Sequence, residues 1–252
     1  MNKIALITGA SAGIGEACAI KLAENGFDLI IAGRREKNLE KLAKKIQETY
    51  KNEVLSLCLD VRNYVEVEKT INSLPEKWKN IDVLVNNAGL AVGVSPIEQG
   101  VVDDWDRMID TNVKGLLYVT RCVSPLMVER KKGLIVNISS IAGKEAYPGG
   151  NVYCGTKHAV EAITKGMRID LLPHNIRVSS IAPGMVETEF SLVRFKGDED
   201  KAEQVYNGFE PLKAEDIADS LLFIATRPDH VSINDILIMP SAQASARDVN
   251  RN

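Results

Sequence analysis

Cysteine is scarce in this sequence, and no two cysteines lie close enough to form a C-x-x-C pair. The four cysteines, Cys18, Cys58, Cys122 and Cys154, are scattered along 252 residues. This spacing is typical neither of a disulfide framework nor of a cysteine-ligated metal. We therefore expect reduced thiols, a cytoplasmic location and no bound metal.

The sequence also lacks a long apolar run and a strong charge of either sign. No run approaches the ~18 residues that a membrane-spanning helix needs. The apolar stretch near the N-terminus, Ile4 to Ile7, leads straight into a glycine-rich loop, so it is too short for a signal peptide. The formal net charge is only −3, which argues against nucleic acids and anionic membranes as general partners.

What the sequence does contain is a regular alternation of strand-like and helix-like segments. Hydrophobic residues make up 45% of the chain and charged residues 26%, as in an ordinary globular domain. Seven runs rich in Val, Ile and Leu predict strands at residues 3–7, 28–33, 54–59, 81–85, 134–138, 175–181 and 235–239. Helical patterns cover residues 16–24, 36–50, 64–74, a segment from about 103, 111–130, 152–172 and 214–225.

Near-continuous apolar strands joined by helices predict an α/β fold. We expect a single doubly wound (Rossmann) domain over residues 1–252, with a seven-stranded parallel sheet and helices on both faces. In such a sheet, ligands bind at the carboxyl ends of the strands. Distinctive polar residues fall just after predicted strands: Ser11, Arg34, Asp60, Asn87, Ser140 and Pro183-Gly184. Their positions predict one ligand site along this edge.

The first strand runs into the loop Thr8-Gly-Ala-Ser-Ala-Gly-Ile-Gly15, after which a helix begins at once. Backbone N–H groups of such a loop, together with the helix dipole, favour an anion. Gly9 permits the turn, Gly13 lets a phosphate approach the backbone, and Gly15 lets the helix pack close to the strand. The arrangement favours a dinucleotide pyrophosphate, although glycines that merely shape a loop are the plainer alternative.

The residues that follow the second strand bear on which dinucleotide binds. NAD-binding proteins of this kind usually carry Asp or Glu there, to hold the ribose 2′-hydroxyl. This sequence has Arg34-Arg35 instead, and a guanidinium can grip a 2′-phosphate bidentately while Ser11 adds a hydroxyl donor. Two cations at a helix N-terminus oppose the dipole, so an anionic partner accounts for them better than solvation alone. The pattern favours NADP(H) over NAD(H).

Two further positions after strands are candidates for contacts with the adenosine half of the dinucleotide. Asp60 can accept a hydrogen bond from the adenine amino group, or it can cap the helix that follows. Asn87, Ala88 and Gly89 offer a backbone surface beside the adenosine ribose. The Asn87 side chain has an alternative structural role, a hydrogen bond that ties two strands together, and the two roles are compatible.

The chemistry is expected from Ser140, Tyr153 and Lys157. Tyr153 and Lys157 are four residues apart in a predicted helix and share one face, while Ser140 follows a strand. A free tyrosine has a pKa of about 10, and a nearby ammonium lowers that pKa by favouring the phenolate. The pair is then suited to give a proton to a carbonyl oxygen or take one from a hydroxyl, with Ser140 holding that oxygen. Asn112 is a candidate to orient a water behind Lys157 as a proton relay.

These residues resemble the short-chain dehydrogenase/reductase family over nearly the whole chain, from Ile4 to about Met239. The motifs that carry the resemblance are Thr8-Gly-x-x-x-Gly-Ile-Gly15, Asp60-Val61, Asn86-Asn-Ala-Gly89, Asn112, Ser140, Tyr153-x-x-x-Lys157 and Pro183-Gly184. The resemblance implies hydride transfer to or from C4 of a nicotinamide, without a metal. Residues 181–188 would line the nicotinamide, with the Val186 backbone facing its carboxamide and Thr188 near the phosphates.

The same resemblance implies a role for each residue of the reacting group. Tyr153 would be the acid/base, and Ser140 would orient the substrate oxygen. Lys157 would bind the nicotinamide ribose and lower the tyrosine pKa, and Asn112 would complete the proton relay. The implied NADP(H) site consists of Gly9, Ser11, Gly13, Ile14, Gly15, Arg34, Arg35, Asp60, Val61, Asn87, Ala88, Gly89, Tyr153, Lys157, Pro183, Gly184, Val186 and Thr188.

Selection of the substrate is expected from a lid at about residues 185–211. The stretches 149–153, 189–198 and 232–240 resemble the NADP-dependent 3-hydroxy acid dehydrogenase branch of the family, also described as serine 3-dehydrogenase or L-allo-threonine dehydrogenase. That branch implies oxidation at C3 of L-serine, L-allo-threonine or 3-hydroxyisobutyrate, or reduction of the matching aldehyde or keto acids. A small acid needs a cation for its carboxylate, and Arg194 is our candidate; a solvated lid charge or an interface residue is the alternative.

Two other functions fit part of this pattern. A 3-oxoacyl thioester reductase of the same family would offer Arg130-Lys131-Lys132 to an acidic carrier protein, although basic residues at a helix C-terminus are expected anyway. A non-catalytic NADPH-sensing regulator would be expected to lose Tyr153 or Lys157, and both are present. The family implies a homotetramer, which apolar residues in helices 111–130 and 152–172 allow. The tail from about residue 240 is either an interface arm or disordered.

Overall fold

The computed structural model describes residues 2–252. Its strands are β1 Ile4–Thr8, β2 Asp28–Gly33, β3 Val54–Cys58, β4 Ile81–Asn86, β5 Gly133–Ile138, β6 Ile176–Pro183 and β7 Asp235–Ile238. They form one parallel sheet in the order β3-β2-β1-β4-β5-β6-β7. The chain builds one half of the sheet outward from β1 and then crosses back to place β4 beside it. This reversal opens a crevice at the carboxyl ends of the central strands.

Helices cover both faces of the sheet. The α-helices are α1 Gly13–Glu24, α2 Glu36–Tyr50, α3 Tyr64–Asn72, α4 Val102–Ile109, α5 Leu116–Arg130, α6 Asn151–Leu171, α7 Phe190–Arg194, α8 Glu199–Gln204 and α9 Ala214–Ala225. Apolar residues of α1, α2 and α9 form the core on one face, and those of α3 and α5 form the core on the other. The predicted doubly wound α/β fold with seven parallel strands is confirmed.

The central strand β1 shows why continuous apolar runs predict this sheet. Successive side chains point to opposite faces of a strand. Ala5 and Ile7 belong to the core beneath α1 and α9, whereas Ile4 and Leu6 belong to the opposite core. All four side chains are buried, and burying an Ile or Leu side chain stabilises the fold by roughly 1.5–3 kcal/mol. A strand buried on both faces therefore has no polar alternation.

The two helices predicted from about residue 103 and over 111–130 form one continuous helical rod. A π-helical segment, Asp110–Gly115, joins α4 to α5 without a break in the rod. Such wide turns are rare and are frequently found at functional sites. Here the segment contains Asn112, which is buried. Helical periodicity alone did not indicate this extra-wide turn, because it changes the helix by a single residue.

The segment from about residue 185 contains more structure than its polar sequence predicts. It holds the short helices α7 and α8. Its two ends meet, because the Glu187 N–H donates to the Leu212 carbonyl at 2.8 Å and the Leu212 N–H donates to the Met185 carbonyl at 3.0 Å. We call residues 185–212 the lid. The lid is a loop that begins after the carboxyl end of β6 and whose two ends are hydrogen-bonded to each other.

The C-terminal tail packs against the base of the lid. Gln243 is buried, and its Oε1 accepts a hydrogen bond from the Met185 N–H at 2.9 Å. Near the chain end, the Arg251 guanidinium donates to the Val205 carbonyl at 3.0 Å and lies over the Phe209 ring. The expectation of a disordered tail is therefore wrong. The sequence gives no sign of this packing, because the contacts join residues far apart in the chain.

Candidate active site

A cavity of about 490 Å³ opens at the carboxyl ends of the central strands. It extends from the glycine loop after β1, past the loops after β2, β3, β4 and β5, to the lid. The predicted residues that line it are Gly9, Ser11, Gly13, Ile14, Arg34, Arg35, Asp60, Val61, Asn87, Ala88, Gly89, Ser140, Tyr153, Lys157, Pro183, Gly184, Val186 and Thr188. Gly15, Asn112 and Arg194 are not among the lining residues. The structure thus brings the predicted cofactor and reacting residues to one place.

The glycine loop is shaped so that side chains are excluded. Gly9 and Gly13 have φ values of +67° and +56°, in the left-handed region that favours glycine. A Cβ on Gly9 would lie 2.9 Å from the Ala88 Cα atom. The Asn87 Nδ2 donates to the Thr8 carbonyl at 2.9 Å, so Asn87 ties the loop after β4 to the loop after β1. The structure therefore shows the tying role of Asn87 directly.

A side chain at Gly15 is expected to disrupt this loop. In the Gly15→Ala variant, the new Cβ would lie 2.4 Å from the Gly9 carbonyl oxygen and 2.5 Å from the Asn87 Nδ2. Relief requires a shift of backbone, and overpacking of this kind typically costs about 1–3 kcal/mol. We expect the free energy of unfolding, measured by urea titration, to fall by about 2 kcal/mol or more. An unfolding midpoint equal to that of the wild type would contradict this geometry.

Gly166→Ala is the matched control for that substitution. Gly166 lies within α6, and a Cβ built there meets nothing within 4 Å. Removing a glycine from the interior of a helix is expected to raise stability by about 0.5–1 kcal/mol. The two glycine-to-alanine changes should therefore move the unfolding midpoint in opposite directions.

The two predicted arginines line the cavity at the end where the adenosine is predicted to bind. The Arg35 Nε lies 3.2 Å from the Ser11 Oγ, and its Nη2 donates to the Ser11 carbonyl at 3.3 Å. The remaining Arg35 nitrogen, Nη1, forms an ion pair of 2.8 Å with Glu189 of the lid. Ser11, Arg34 and Arg35 line the cavity together. This cluster of donors fits a phosphate beside the glycine loop.

Asp60 lies at the same end of the cavity but does not cap the following helix. Its carboxylate forms an ion pair with Arg62 at 2.6 Å. Hydrogen bonding from Arg62 keeps the pKa of Asp60 below its usual value, so this exposed pair retains its acceptor oxygens at neutral pH. Asn63 is the N-cap of α3, because its side chain accepts a hydrogen bond from the Glu66 N–H at 3.2 Å. The alternative of Asp60 as the cap is therefore wrong.

Tyr153 and Lys157 lie on the buried face of α6, as the four-residue spacing predicts. Tyr153 is 7% exposed and Lys157 is 6% exposed. The Lys157 Nζ lies 6.0 Å from the centre of the Tyr153 ring and donates to the Ile138 carbonyl at 2.9 Å. Ser140 follows β5, and its Oγ accepts from the Ala142 N–H at 3.1 Å. The phenol, the ammonium and the hydroxyl therefore all face the cavity from two neighbouring elements.

Burial controls the proton affinities of this group. It raises the pKa of Tyr153 above its usual range, and the opposing effects of Ser140 and the Arg194 guanidinium are smaller. The expectation that Lys157 lowers the pKa of Tyr153 is wrong for this arrangement, since the lysine is directed to Ile138 and burial dominates. Burial also lowers the pKa of Lys157 to about 8, while Glu161 acts to raise it. Tyr153 is therefore a protonated phenol at neutral pH.

The buried lysine should make stability depend on pH. Because the pKa of Lys157 is about 8 in the folded chain and about 10.4 when unfolded, the unfolded chain binds more protons between those values. The free energy of unfolding should therefore rise as pH increases through this window. Relative to Lys157→Met, which lacks the group, the wild type should gain roughly 3 kcal/mol between pH 7 and 10.5.

Urea unfolding of both proteins at several pH values measures this difference. Lys165→Met is the matched control, because Lys165 is an exposed lysine of the same helix. It controls for the loss of a lysine side chain from this helix. A constant difference between the wild type and Lys157→Met would contradict the burial of a charged lysine at this position.

Asn112 braces the site rather than presenting a free amide to it. Its Oδ1 accepts from the Leu90 N–H at 2.8 Å, and its Nδ2 donates to the Leu90 carbonyl at 2.8 Å and to the Thr156 Oγ1 at 3.0 Å. Both amide hydrogens are thereby used. Asn112 fixes the segment after β4 against α6, which carries the reacting pair. Within the side chain, only Oδ1 has a lone pair left to accept a hydrogen bond from a relay water.

Arg194 ends α7 and approaches the reacting residues from the lid. Its Nη2 donates to the Tyr147 Oη at 3.0 Å, and its guanidinium carbon lies 5.9 Å from the centre of the Tyr153 ring. The Arg194 Nε is buried and has no hydrogen-bond partner among residues 2–252. The Phe190 ring packs against Tyr153, with centroids 5.8 Å apart. The lid thus places two groups beside the phenol of Tyr153, the Arg194 guanidinium and the Phe190 ring, which we call the aromatic wall.

The sequence did not indicate three residues that support the site. Tyr147 holds Arg194, Thr156 accepts from Asn112, and Gln243 holds the backbone of Met185. Tyr147 and Thr156 lie within or near the motif that contains Tyr153, which was the available signal. Gln243 lies in the tail, where no pattern pointed to a role.

Across residues 2–252, no cluster of three or more His, Cys, Asp or Glu side chains is arranged to hold a metal ion. In the same described part of the chain, each helix is too short or too polar to cross a membrane. All four cysteines are free thiols.

Comparison with known proteins identifies the family. The profile described as short chain dehydrogenase matches residues 3–198. The NADP-dependent 3-hydroxy acid dehydrogenase of Salmonella typhi is 48% identical over 244 residues, which are 96% of this chain and 97% of that protein. The enzyme of the same description from Schizosaccharomyces pombe is 46% identical over 251 residues, which are 99% of this chain and 97% of that protein.

Solved structures agree with these sequence relatives. The closed form of a serine dehydrogenase complexed with NADP⁺ matches with a TM-score of 0.92 and 45% identity, covering 99% of this chain and 100% of that one. Serine dehydrogenase from Escherichia coli matches with a TM-score of 0.82 and 40% identity, covering 96% and 99% of the two chains. The profile, the relatives and the cavity agree, and the chain belongs to the short-chain dehydrogenase/reductase family of oxidoreductases.

Proposed function

We propose that this protein is an NADP-dependent dehydrogenase that oxidises the 3-hydroxyl of small 3-hydroxy acids, or reduces the matching aldehyde or keto acids. L-serine, L-allo-threonine and 3-hydroxyisobutyrate are the proposed substrates. The similarity to enzymes described as NADP-dependent 3-hydroxy acid dehydrogenase and serine dehydrogenase supports this activity. The residues of the site supply further support, as follows.

The observation that carries the substrate class is the position of Arg194. Its guanidinium lies 5.9 Å from the centre of the Tyr153 ring, and its buried Nε has no partner among residues 2–252. A buried donor without a partner is costly, so a ligand acceptor is expected beside it. A carboxylate held there would place the third carbon of a short acid within reach of the phenol. The guanidinium fork suits a carboxylate better than a neutral group.

The cofactor site fits NADP(H). Gly9 and Gly13 of the glycine loop line the cavity without side chains, and Ser11, Arg34 and Arg35 provide donors at the same end of the cavity. The two residues directly after β2, where a 2′-hydroxyl would need a carboxylate, are Arg34 and Arg35. Bound NADP(H) supplies the hydride acceptor or donor at its nicotinamide. The serine dehydrogenase that this chain resembles was solved as a complex with NADP⁺.

The residues around the phenol of Tyr153 have different roles in proton transfer. Because burial raises the pKa of Tyr153, its phenol holds a proton at neutral pH and can donate it to a carbonyl oxygen. In the oxidation direction the phenol first gives up its own proton, and the phenolate then takes the proton of the hydroxyl group. Ser140 is placed to hold the same oxygen. Lys157 supplies positive charge at the nicotinamide end of the cavity, and Asn112 fixes the segment behind it. These roles rest on the geometry of the buried face of α6.

A direct spectrophotometric assay tests the proposed function. Purified protein is mixed with NADP⁺ and each of the three hydroxy acids, and nucleotide reduction is followed by absorbance. Parallel reactions contain NAD⁺, or NADPH with a 3-oxoacyl thioester. We expect turnover of at least one hydroxy acid, with NADP⁺ preferred over NAD⁺. Turnover of the thioester alone would replace this proposal by a thioester reductase.

The contacts of Arg130 offer no support for a thioester reductase that would bind its carrier protein through Arg130-Lys131-Lys132. The Arg130 guanidinium is hydrogen-bonded to the carbonyl of Ile81, the first residue of β4. It also pairs with Asp82 at 3.5 Å. Arg130 and its neighbours Lys131 and Lys132 therefore lie at the amino ends of the strands, opposite the cavity. A carrier protein bound there would be far from the reacting residues.

The proposed assembly is a homotetramer in the cytoplasm. Three of the apolar residues in the helices predicted to allow contacts between subunits, Leu116, Val119 and Val160, are buried within the chain. The apolar residues that remain exposed on the same helices are Leu117 at 39%, Ile169 at 71% and, just after α6, Leu172 at 72%. They support helix-to-helix association. Light scattering of the purified protein determines the number of subunits.

A further inference from the structure

Arg35 has two kinds of partner at the adenosine end of the cavity. Its Nε and Nη2 are held by the Oγ and carbonyl of Ser11, in the glycine loop. Its Nη1 forms the ion pair of 2.8 Å with Glu189, which belongs to the lid. Ser11, Arg35 and Glu189 all line the cavity. The guanidinium that suits a nucleotide phosphate is therefore already paired with a carboxylate of the same chain.

The ion pair is of a kind that an incoming anion can replace. Arg35 and Glu189 side chains are 47% and 58% exposed, and exposed pairs contribute only about 0.2–1 kcal/mol. A phosphate is a stronger bidentate partner for a guanidinium than a single carboxylate oxygen. In addition, Glu189 and a phosphate on Arg35 would repel each other at close range. Glu189 must therefore move away from Arg35, or weaken the binding of the phosphate.

We propose that Glu189 is a specificity residue, a counter-ion of Arg35 that competes with the adenosine 2′-phosphate. This inference rests on the proposed function, because it takes NADP(H) as the nucleotide. In this proposal, the 2′-phosphate is the only group of the nucleotide that competes with Glu189 for Arg35. Affinity for NADP⁺ is then set by the lid as well as by the arginines, whereas NAD⁺ has no group that contests the pair.

The position of Glu189 in the chain connects this competition to the lid. Glu189 directly precedes α7, and its neighbour Thr188 lies 3.4 Å from where a Cβ on Gly13 would be. The next residue, Phe190, packs against Tyr153. Replacement of the carboxylate by a phosphate thus releases the lid at the residue next to the aromatic wall. NAD⁺ would leave that contact in place.

Isothermal titration of NADP⁺ and NAD⁺ into wild type and Glu189→Gln tests the competition without turnover. At low salt, the variant should bind NADP⁺ about threefold more tightly, a change typical of an exposed ion pair. Its dissociation constant for NAD⁺ should be unchanged. Glu187→Gln is the matched control, since Glu187 is exposed, lies two residues away and does not line the cavity. It should change neither constant.

A double-mutant cycle with Arg35→Gln separates direct competition from a general effect of charge. In the Arg35→Gln background, Glu189→Gln should leave the affinity for NADP⁺ unchanged. The inference is overturned if Glu189→Gln leaves NADP⁺ binding unchanged or weaker, tightens both nucleotides equally, or keeps its effect without Arg35. Wild type that prefers NAD⁺, or shows no preference, would refute the proposed cofactor and this inference with it. Preference for NADP⁺ with an unaffected variant would refute only the inference.

Discussion

Tyr153→Phe is expected to lower kcat about 10³-fold and to leave the dissociation constant of NADP⁺ within about twofold of the wild-type value. The substitution removes one hydroxyl from a side chain that is 7% exposed. The ring remains to pack against Phe190, so the lid and the cavity keep their shape. What is lost is the proton donor and acceptor beside the substrate oxygen, and neither Ser140 nor Lys157 replaces it in the same position.

Steady-state kinetics with the preferred hydroxy acid and titration with NADP⁺ measure the two quantities separately. Tyr64→Phe is the matched control, because the Tyr64 hydroxyl bonds to Glu68 on the surface of α3. It should retain full activity. Tyr153→Phe with more than a tenth of the wild-type kcat would remove Tyr153 from its acid/base role. Loss of both activity and nucleotide binding would instead indicate a structural role for the hydroxyl.

The parts of the fold that could be predicted from the sequence are those that depend on local pattern. Strands buried on both faces need mostly apolar residues, so residues 4–7 of β1 and 29–32 of β2 are visible as uninterrupted runs. The reacting pair could be predicted for a similar reason. Residues four apart share a helix face, and the buried face of α6 contains both Tyr153 and Lys157.

The parts that could not be predicted depend on contacts between distant residues. The ion pair of Arg35 with Glu189 joins positions 154 residues apart, and the bond of Arg194 to Tyr147 joins positions 47 apart. Neither is encoded in a local period. The short helices α7 and α8 have five and six residues, too few for a helical pattern to be distinguished from a polar loop.

The pKa values of Tyr153 and Lys157 also depend on contacts between distant residues. The sequence places an ammonium near a phenol, which alone would lower the tyrosine pKa. In the folded chain both side chains are buried. Burial raises the pKa of Tyr153 and lowers the pKa of Lys157. How deeply a side chain is buried depends on the elements packed over it, in this case the lid residue Phe190. The direction of the pKa shift of Tyr153 is therefore a property of the tertiary structure.

Arg194→Ala is expected to lower kcat/KM for 3-hydroxy acids about 100-fold, chiefly through a higher KM. Truncating one member of a buried, hydrogen-bonded charge pair costs about 2–5 kcal/mol in bound complexes, and 2.7 kcal/mol corresponds to a factor of about 100. The affinity for NADP⁺ should not change, because the Arg194 guanidinium contacts Tyr147 and Tyr153 and none of the residues proposed to hold the phosphates. Arg194→Lys should recover only part of the loss, since an ammonium cannot reproduce the guanidinium fork.

The methyl ester of the preferred hydroxy acid distinguishes a carboxylate grip from a role in lid structure. The ester lacks the negative charge, so its already low kcat/KM should be nearly the same in wild type and Arg194→Ala. Lys201→Ala is the matched control, because Lys201 is an exposed lid cation paired with Asp198. It should leave both substrates unaffected. An unchanged KM for the acid, or an equal loss for acid and ester, would show that Arg194 supports the lid through Tyr147 and does not bind the carboxylate.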